Sequence, residues 1–109
     1  MPTVQKVLGQ LKPSAATLTT LYTVPASTQA TVSTIVVTNQ SATPTAFRIS
    51  VAIAGAADTP AQYIYYDVAI AGNDVFAATL GITLAATDVV RAFNTLATLS
   101  FNLFGVETS

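Results

Sequence analysis

The sequence predicts an all-β fold: an antiparallel β-sandwich, jelly-roll-like, with an extended N-terminal arm. Three observations carry that prediction. Period-two alternation recurs along the chain, with bulky apolar groups on one side of each stretch and smaller or polar groups on the other. Turn-forming clusters separate these stretches about every ten residues, the spacing of a sandwich or barrel. No sustained helical period and no heptads compete with it. At 109 residues the chain fits one domain with one core.

The first segment, Met1 to Ala16, holds both lysines, Gly9 and Pro13, and alternates weakly. It reads as an arm (residues 1–16) that pairs with a neighbouring molecule, or else as an edge strand of its own sheet. The sandwich domain then covers residues 17–109. Thr17 to Val24 and Ala30 to Asn39 are rich in β-branched residues, whose stiff side chains favour strands. Thr45 to Ala54 is the clearest strand, with Phe47, Ile49, Val51 and Ile53 alternating with Arg48, Ser50, Ala52 and Ala54. Pro44 bars an earlier start to its ladder. The Ala-rich run Ala52 to Ala57 has nominal helix propensity, which Gly55 and the preceding alternation oppose.

Gln62 to Ile70 repeats the pattern, with Ile64, Tyr66, Val68 and Ile70 on one side and Tyr63, Tyr65 and Asp67 on the other. Val75 to Leu80, Ile82 to Leu84 and Asp88 to Phe93 follow as shorter strands. Near the C-terminus Leu99, Phe101 and Leu103 alternate with Ser100, Asn102 and Phe104. Between the strands lie Pro25-Ala26-Ser27, Asn39-Gln40-Ser41, Ala57-Asp58-Thr59-Pro60, Gly72-Asn73-Asp74 and Ala86-Thr87-Asp88, all turn formers.

Composition bounds function more sharply than any motif. Only 8% of the residues are charged, against about 25% in an ordinary domain. Thr, Ser, Asn, Gln and Ala take the place of Lys and Glu on the surface. Such a surface is easy to desolvate, because few ions need partners when it is covered. It suits a subunit pressed against copies of itself or against a larger shell. The net charge of −1 gives no basic stripe for a phosphate backbone, so nucleic acid is not an expected partner. Apolar runs such as Val68 to Gly72 fall far short of the ~20 residues of a membrane span. Met1 to Lys6 lacks the charged and apolar regions of a secretory signal, so the expectation is a chain made and used without crossing a membrane by the standard route, and without a membrane partner.

Candidate chemistry is sparse. With no histidine and no cysteine, the usual general base, the thiol nucleophile and thiolate metal sites are absent, and no enzyme activity or cofactor is expected. Asp58, Asp74 and Asp88 sit in turn contexts, where an aspartate commonly accepts from backbone amides. Asn73 and Asp74 have oxygens for Ca²⁺ but no dense acidic loop around them, so no metal site is expected. Tyr63 and Tyr65, joined by Asp67, form an aromatic face suited to a subunit interface or to sugar stacking, with the interface favoured. Phe104, out of phase with Phe101 and Leu103, joins that candidate interface. Arg48 and Arg91 lie within strands and suit bidentate pairing with Asp67 or Asp88 across such an interface. The arm supplies the second candidate surface, through Val4, Lys6, Val7, Leu8, Leu11 and Lys12.

Several phrases add a resemblance. Thr17-Leu18-Thr19-Thr20-Leu21-Tyr22-Thr23-Val24-Pro25-Ala26 leads into Ala30 to Asn39. Later come Tyr65-Tyr66-Asp67-Val68 and Leu80-Gly81-Ile82-Thr83-Leu84-Ala85-Ala86-Thr87-Asp88-Val89-Val90. From about residue 16 to the C-terminus the chain resembles small virion structural proteins of tailed bacteriophages, including cyanophages, most of all capsid decoration (cement) proteins. The resemblance implies a homotrimer on the outside of the head shell that stabilises it by bridging capsid subunits, with itself and the major capsid protein or other virion proteins as partners. The alternative it leaves is a tail fibre or baseplate module with a receptor- or glycan-binding face.

Overall fold

The computed structural model describes residues 3–109, so Met1 and Pro2 of the expected arm lie outside the described residues. Eight strands follow one another: β1 (Thr3–Leu11), β2 (Thr19–Thr23), β3 (Gln29–Asn39), β4 (Thr45–Ala52), β5 (Tyr63–Ile70), β6 (Val75–Leu84), β7 (Val89–Asn94) and β8 (Leu99–Thr108). The first strand pairs with the eighth, the second with the seventh, the third with the sixth and the fourth with the fifth, always antiparallel. Two more pairings, β3 with β8 and β4 with β7, join these rungs into two four-stranded sheets. Their orders are β1-β8-β3-β6 and β2-β7-β4-β5.

One core lies between the sheets. Ile35, Val37, Leu99, Phe101 and Leu103 of the first sheet and Phe47, Ile49 and Ala92 of the second are wholly buried in it. Phe47 is the hinge of the packing: its ring centroid lies 5.1 Å from that of Phe76 and 6.0 Å from that of Phe101, both across the gap. These tilted and edge-on arrangements are the ones aromatic quadrupoles favour.

Of the two readings of the N-terminal segment, the structure shows the edge strand and not the arm that pairs with a neighbouring molecule. Thr3–Leu11 is an edge strand of its own sheet, paired with β8 from Thr3↔Thr108 to Leu11↔Phe101. A bulge between Val7 and Gly9 turns Leu8 into the core, where it is buried. That phase shift is what weakens the alternation in the sequence. Gly9 allows β1 to cross close to β2: a Cβ there would overlap the Leu21 carbonyl. Ahead of the bulge, Lys6 converges with Tyr22 on Glu107. The Lys6 ammonium sits 3.3 Å from Oε1, and the Tyr22 hydroxyl donates to Oε2. This clasp ties β1, β2 and β8 together across the two sheets.

Three more boundaries differ from the sequence reading. The β4 strand ends at Ala52, and the chain turns through a single 3-10 turn at Ile53–Gly55, leaving Ile53 77% exposed instead of on the buried face. β6 runs unbroken through Gly81, which lies on the open outer side with nothing near it. β8 continues to Thr108 through Gly105, where a side chain would strike the Thr31 carbonyl.

Candidate functional site

Alternating burial and strand register assign the side chains of each sheet to a core side and an outer side. On the first sheet the outer side carries Thr3, Gln5, Val7 and Gln10 from β1, and Ser100, Asn102, Phe104 and Val106 from β8. It continues with Thr31, Thr34, Val36 and Thr38 from β3 and Val75, Ala77, Thr79, Gly81 and Thr83 from β6. Among the described residues, no charged side chain points out of this face. Ser33 is a bulge in β3 against β8, and its hydroxyl donates to the Phe104 carbonyl at 3.1 Å. At the bulge a groove over β8 is lined by Gln5, Lys6, Val7, Ser33, Phe104 and Val106, with the Lys6 ammonium bonded to Glu107. Phe104 therefore belongs to this face and stands apart from the tyrosines with which the sequence grouped it.

The second sheet is dressed differently. The connection from β4 to β5 folds back over its outer face and covers Ser50 and Ala52, both wholly buried. Arg91 holds this connection from below, its guanidinium donating to the Ala56 carbonyl at 3.0 Å and the Gly55 carbonyl at 3.3 Å. Asp88, buried, accepts from the Ala54 and Ala85 amides, each at 2.9 Å. The expected arginine–carboxylate pairing thus holds within the chain for Arg48, whereas Arg91 and Asp88 each bind backbone.

Arg48 centres the exposed part of this face. Its Nε donates to Asp67 Oδ1 at 2.6 Å and its Nη2 to Oδ2 at 3.1 Å, a bidentate pair. The guanidinium also lies 4.1 Å from the Tyr66 ring centroid and 4.8 Å from that of Phe93. Those hydrogen bonds hold the Asp67 carboxyl below its ordinary value and the Arg48 guanidinium above its own. Two irregularities in β5 produce the arrangement. Pairing slips between Phe47 and Ile49 and again between Ile49 and Ser50, and Asp67 takes φ +52° at the first slip. The left-handed conformation folds Asp67 back toward Arg48.

The same slips part Tyr63 and Tyr65, expected on one face: Tyr63 stays on the outer side with Arg48 and Tyr66. Tyr65 turns to the core, its ring 5.2 Å from that of Phe76 and 6.2 Å from that of Phe47. Tyr66 takes the outer position, edge to face with Tyr63 at 5.2 Å. Strict alternation hides Tyr66, and nothing short of the bulge itself would reveal it. Tyr63 in turn donates its hydroxyl to Asp58 Oδ2 at 3.1 Å. Burial first, and then this bond, push its ionisation above the ordinary 10.0. Arg48, Tyr63, Tyr66, Asp58, Thr59 and Pro60 line a cleft of about 430 Å³.

Of the arm residues, Leu8 and Leu11 pack on the core and Lys6 is engaged with Glu107. Val4 and Val7 stay exposed, at 52% and 45%, and Lys12 lies exposed beyond the strand end. Among the described residues, no group of three or more acidic side chains is placed to hold a metal ion, and no helix is long and apolar enough to cross a membrane. No family model matches this chain, and no curated protein matches it.

Proposed function

We propose that this chain is a structural protein of a tailed-phage virion, a homotrimeric decoration protein seated on the outside of the head shell. The observation that carries the reading is the uncharged outer face of the first sheet. Four strands present Thr, Val, Ala, Ser and Gln there, a surface that can be covered by another protein without stranding an ion. Cyclic trimers form through one patch meeting another around a closed ring, and a flat, rigid sheet provides such a patch. Many weakly held copies, each touching adjacent capsid subunits, would reinforce one another and oppose the pressure of packaged DNA.

The fold reading that accompanies this proposal is the jelly roll. Its support is the pairing pattern, in which a long hairpin of strands one to four against five to eight is rolled until β3 meets β8 and β4 meets β7. Such a roll puts both chain ends on the first sheet, in β1 and β8, beside the uncharged face. The test is location and loss. Labelled chain should be found over the head, and virions lacking it should lose resistance to heat and osmotic shock. Label confined to the tail tip, or full resistance without the chain, would overturn the decoration role.

A further inference from the structure

We propose that the cleft between Arg48, Asp58, Thr59, Pro60, Tyr63 and Tyr66 binds an uncharged sugar ring. The inference stands on the geometry of this cleft and does not depend on where the protein is assembled. At about 430 Å³ the cleft falls within the roughly 300–1,000 Å³ of small-ligand sites. Its groups match the two sides of a pyranose: ring faces for the apolar C–H side, and oxygen acceptors and hydroxyls for the rim.

Asp58, Arg48 and the two tyrosine rings are held in place before any ligand arrives. The Tyr63 hydroxyl fixes Asp58 through Oδ2 at 3.1 Å, which leaves Oδ1 to accept from a ligand hydroxyl. Tyr63 and Tyr66 fix each other edge to face at 5.2 Å, and Arg48 braces Tyr66 from 4.1 Å. Gln62 pins the loop that carries Asp58 and Thr59, its side-chain amide donating to the Ala57 carbonyl at 2.9 Å and its backbone amide to the Thr59 carbonyl at 3.1 Å. Preorganised groups of this kind lower the ordering cost of binding.

Charge selects the ligand class. Arg48 is already matched by Asp67 through two hydrogen bonds, so Asp58 is the unmatched charge of the cleft. A uronate or other acidic sugar would meet that carboxylate. A cation drawn to Asp58 would find a face of the Tyr66 ring already covered by the Arg48 guanidinium at 4.1 Å, and so lose that ring contact. A neutral polyhydroxyl ring meets neither penalty.

The experiment is a titration of the ¹⁵N-labelled full chain with glucose, galactose, mannose and N-acetylglucosamine, followed by amide and tyrosine-ring shifts. Galacturonate and tetramethylammonium serve as the charged comparators. The expected result is saturable shifts at residues 58–66 with at least one neutral sugar. Affinity should fall about tenfold or more in Asp58→Asn, which removes a charged acceptor, and should vanish in Tyr66→Ala. Tyr65→Phe, whose ring faces the core, should bind as the parent does. Asp58 is exposed, so an unchanged melting midpoint in Asp58→Asn separates lost binding from lost fold. No saturable shift with any of the four sugars, or tighter binding of either charged comparator, would overturn the proposal.

Discussion

Among the described residues, no side chain on the outer side of β1-β8-β3-β6 is charged, whereas the outer side of β2-β7-β4-β5 holds Arg48, Arg91 and Asp67 and is partly roofed by residues 53–62. The difference shows what the few charges of this chain do. Nine side chains are charged, and eight bond within the chain. Lys6 meets Glu107, Arg48 meets Asp67, and Asp58 accepts from Tyr63. Asp74 accepts from the Val75 amide, while Asp88 and Arg91 hold backbone groups of the 53–56 turn. Lys12 is the exception among the described residues. Charge here fastens the chain to itself, and the surface left over is neutral. One face is thereby shaped into a cleft, and the other is left broad and easy to cover.

The contrast can be broken most severely at its shared foundation. Phe47→Ala removes the ring that contacts Tyr65, Phe76 and Phe101. Loss of a wholly buried Phe costs about 3–5 kcal/mol, and chemical denaturation should show that loss with both faces affected. Asp88→Ala should act on one face only. It strands the Ala54 and Ala85 amides, at a cost of about 1–3 kcal/mol. Limited proteolysis should then cut within residues 53–62, while hydrogen exchange in β3 and β8 stays close to that of the parent.

Acidity sharpens the comparison at the rim where β1, β2 and β8 meet. The Tyr22 hydroxyl, and then Lys6, hold the Glu107 carboxyl below its ordinary 4.5. Burial, and then Glu107, hold Tyr22 above its ordinary 10.0. A lowered carboxyl stabilises the fold above its unfolded value and stops doing so as pH falls through its folded one. A raised phenol stabilises below 10.0 and stops as pH climbs beyond it. Stability should therefore drop at both ends, and Tyr22→Phe should flatten both limbs in melting curves taken across pH. A parent curve without either limb would remove the clasp from the account. The smallest effect on the fold of the single chain is expected on the neutral face: Val36→Glu should keep the circular-dichroism spectrum of the parent, and any fall in its unfolding midpoint should grow with protein concentration, because it comes from lost association.

Much of the framework was legible because alternation survives wherever a strand pairs without a slip. Phe47, Ile49, Leu99, Phe101 and Leu103 announced the core, the turn clusters marked six of the eight strands, β2 to β7, and alternation alone marked β8. What escaped has a common cause. Leu8 in β1, Ser33 in β3 and the residues around Tyr66 in β5 sit at bulges, where one extra residue reverses every later side chain. Whether a strand slips depends on its partner, and period-two reading of one strand contains no partner. For the same reason Tyr65 read as outward and the cleft around Tyr66 stayed hidden. The roof over Ser50 and Ala52 was equally invisible, because Arg91 and Asp88 reach backbone groups about 35 residues away in sequence.

The central claim is that the neutral face of the first sheet is a seam between copies. Sedimentation equilibrium across a dilution series, comparing the parent chain with Val36→Glu, tests it most directly. The account predicts a parent trimer that persists on dilution and a folded, monomeric variant, since a carboxylate buried without a partner would oppose association. A parent chain that is monomeric throughout, or a variant that associates as strongly as the parent, would contradict it.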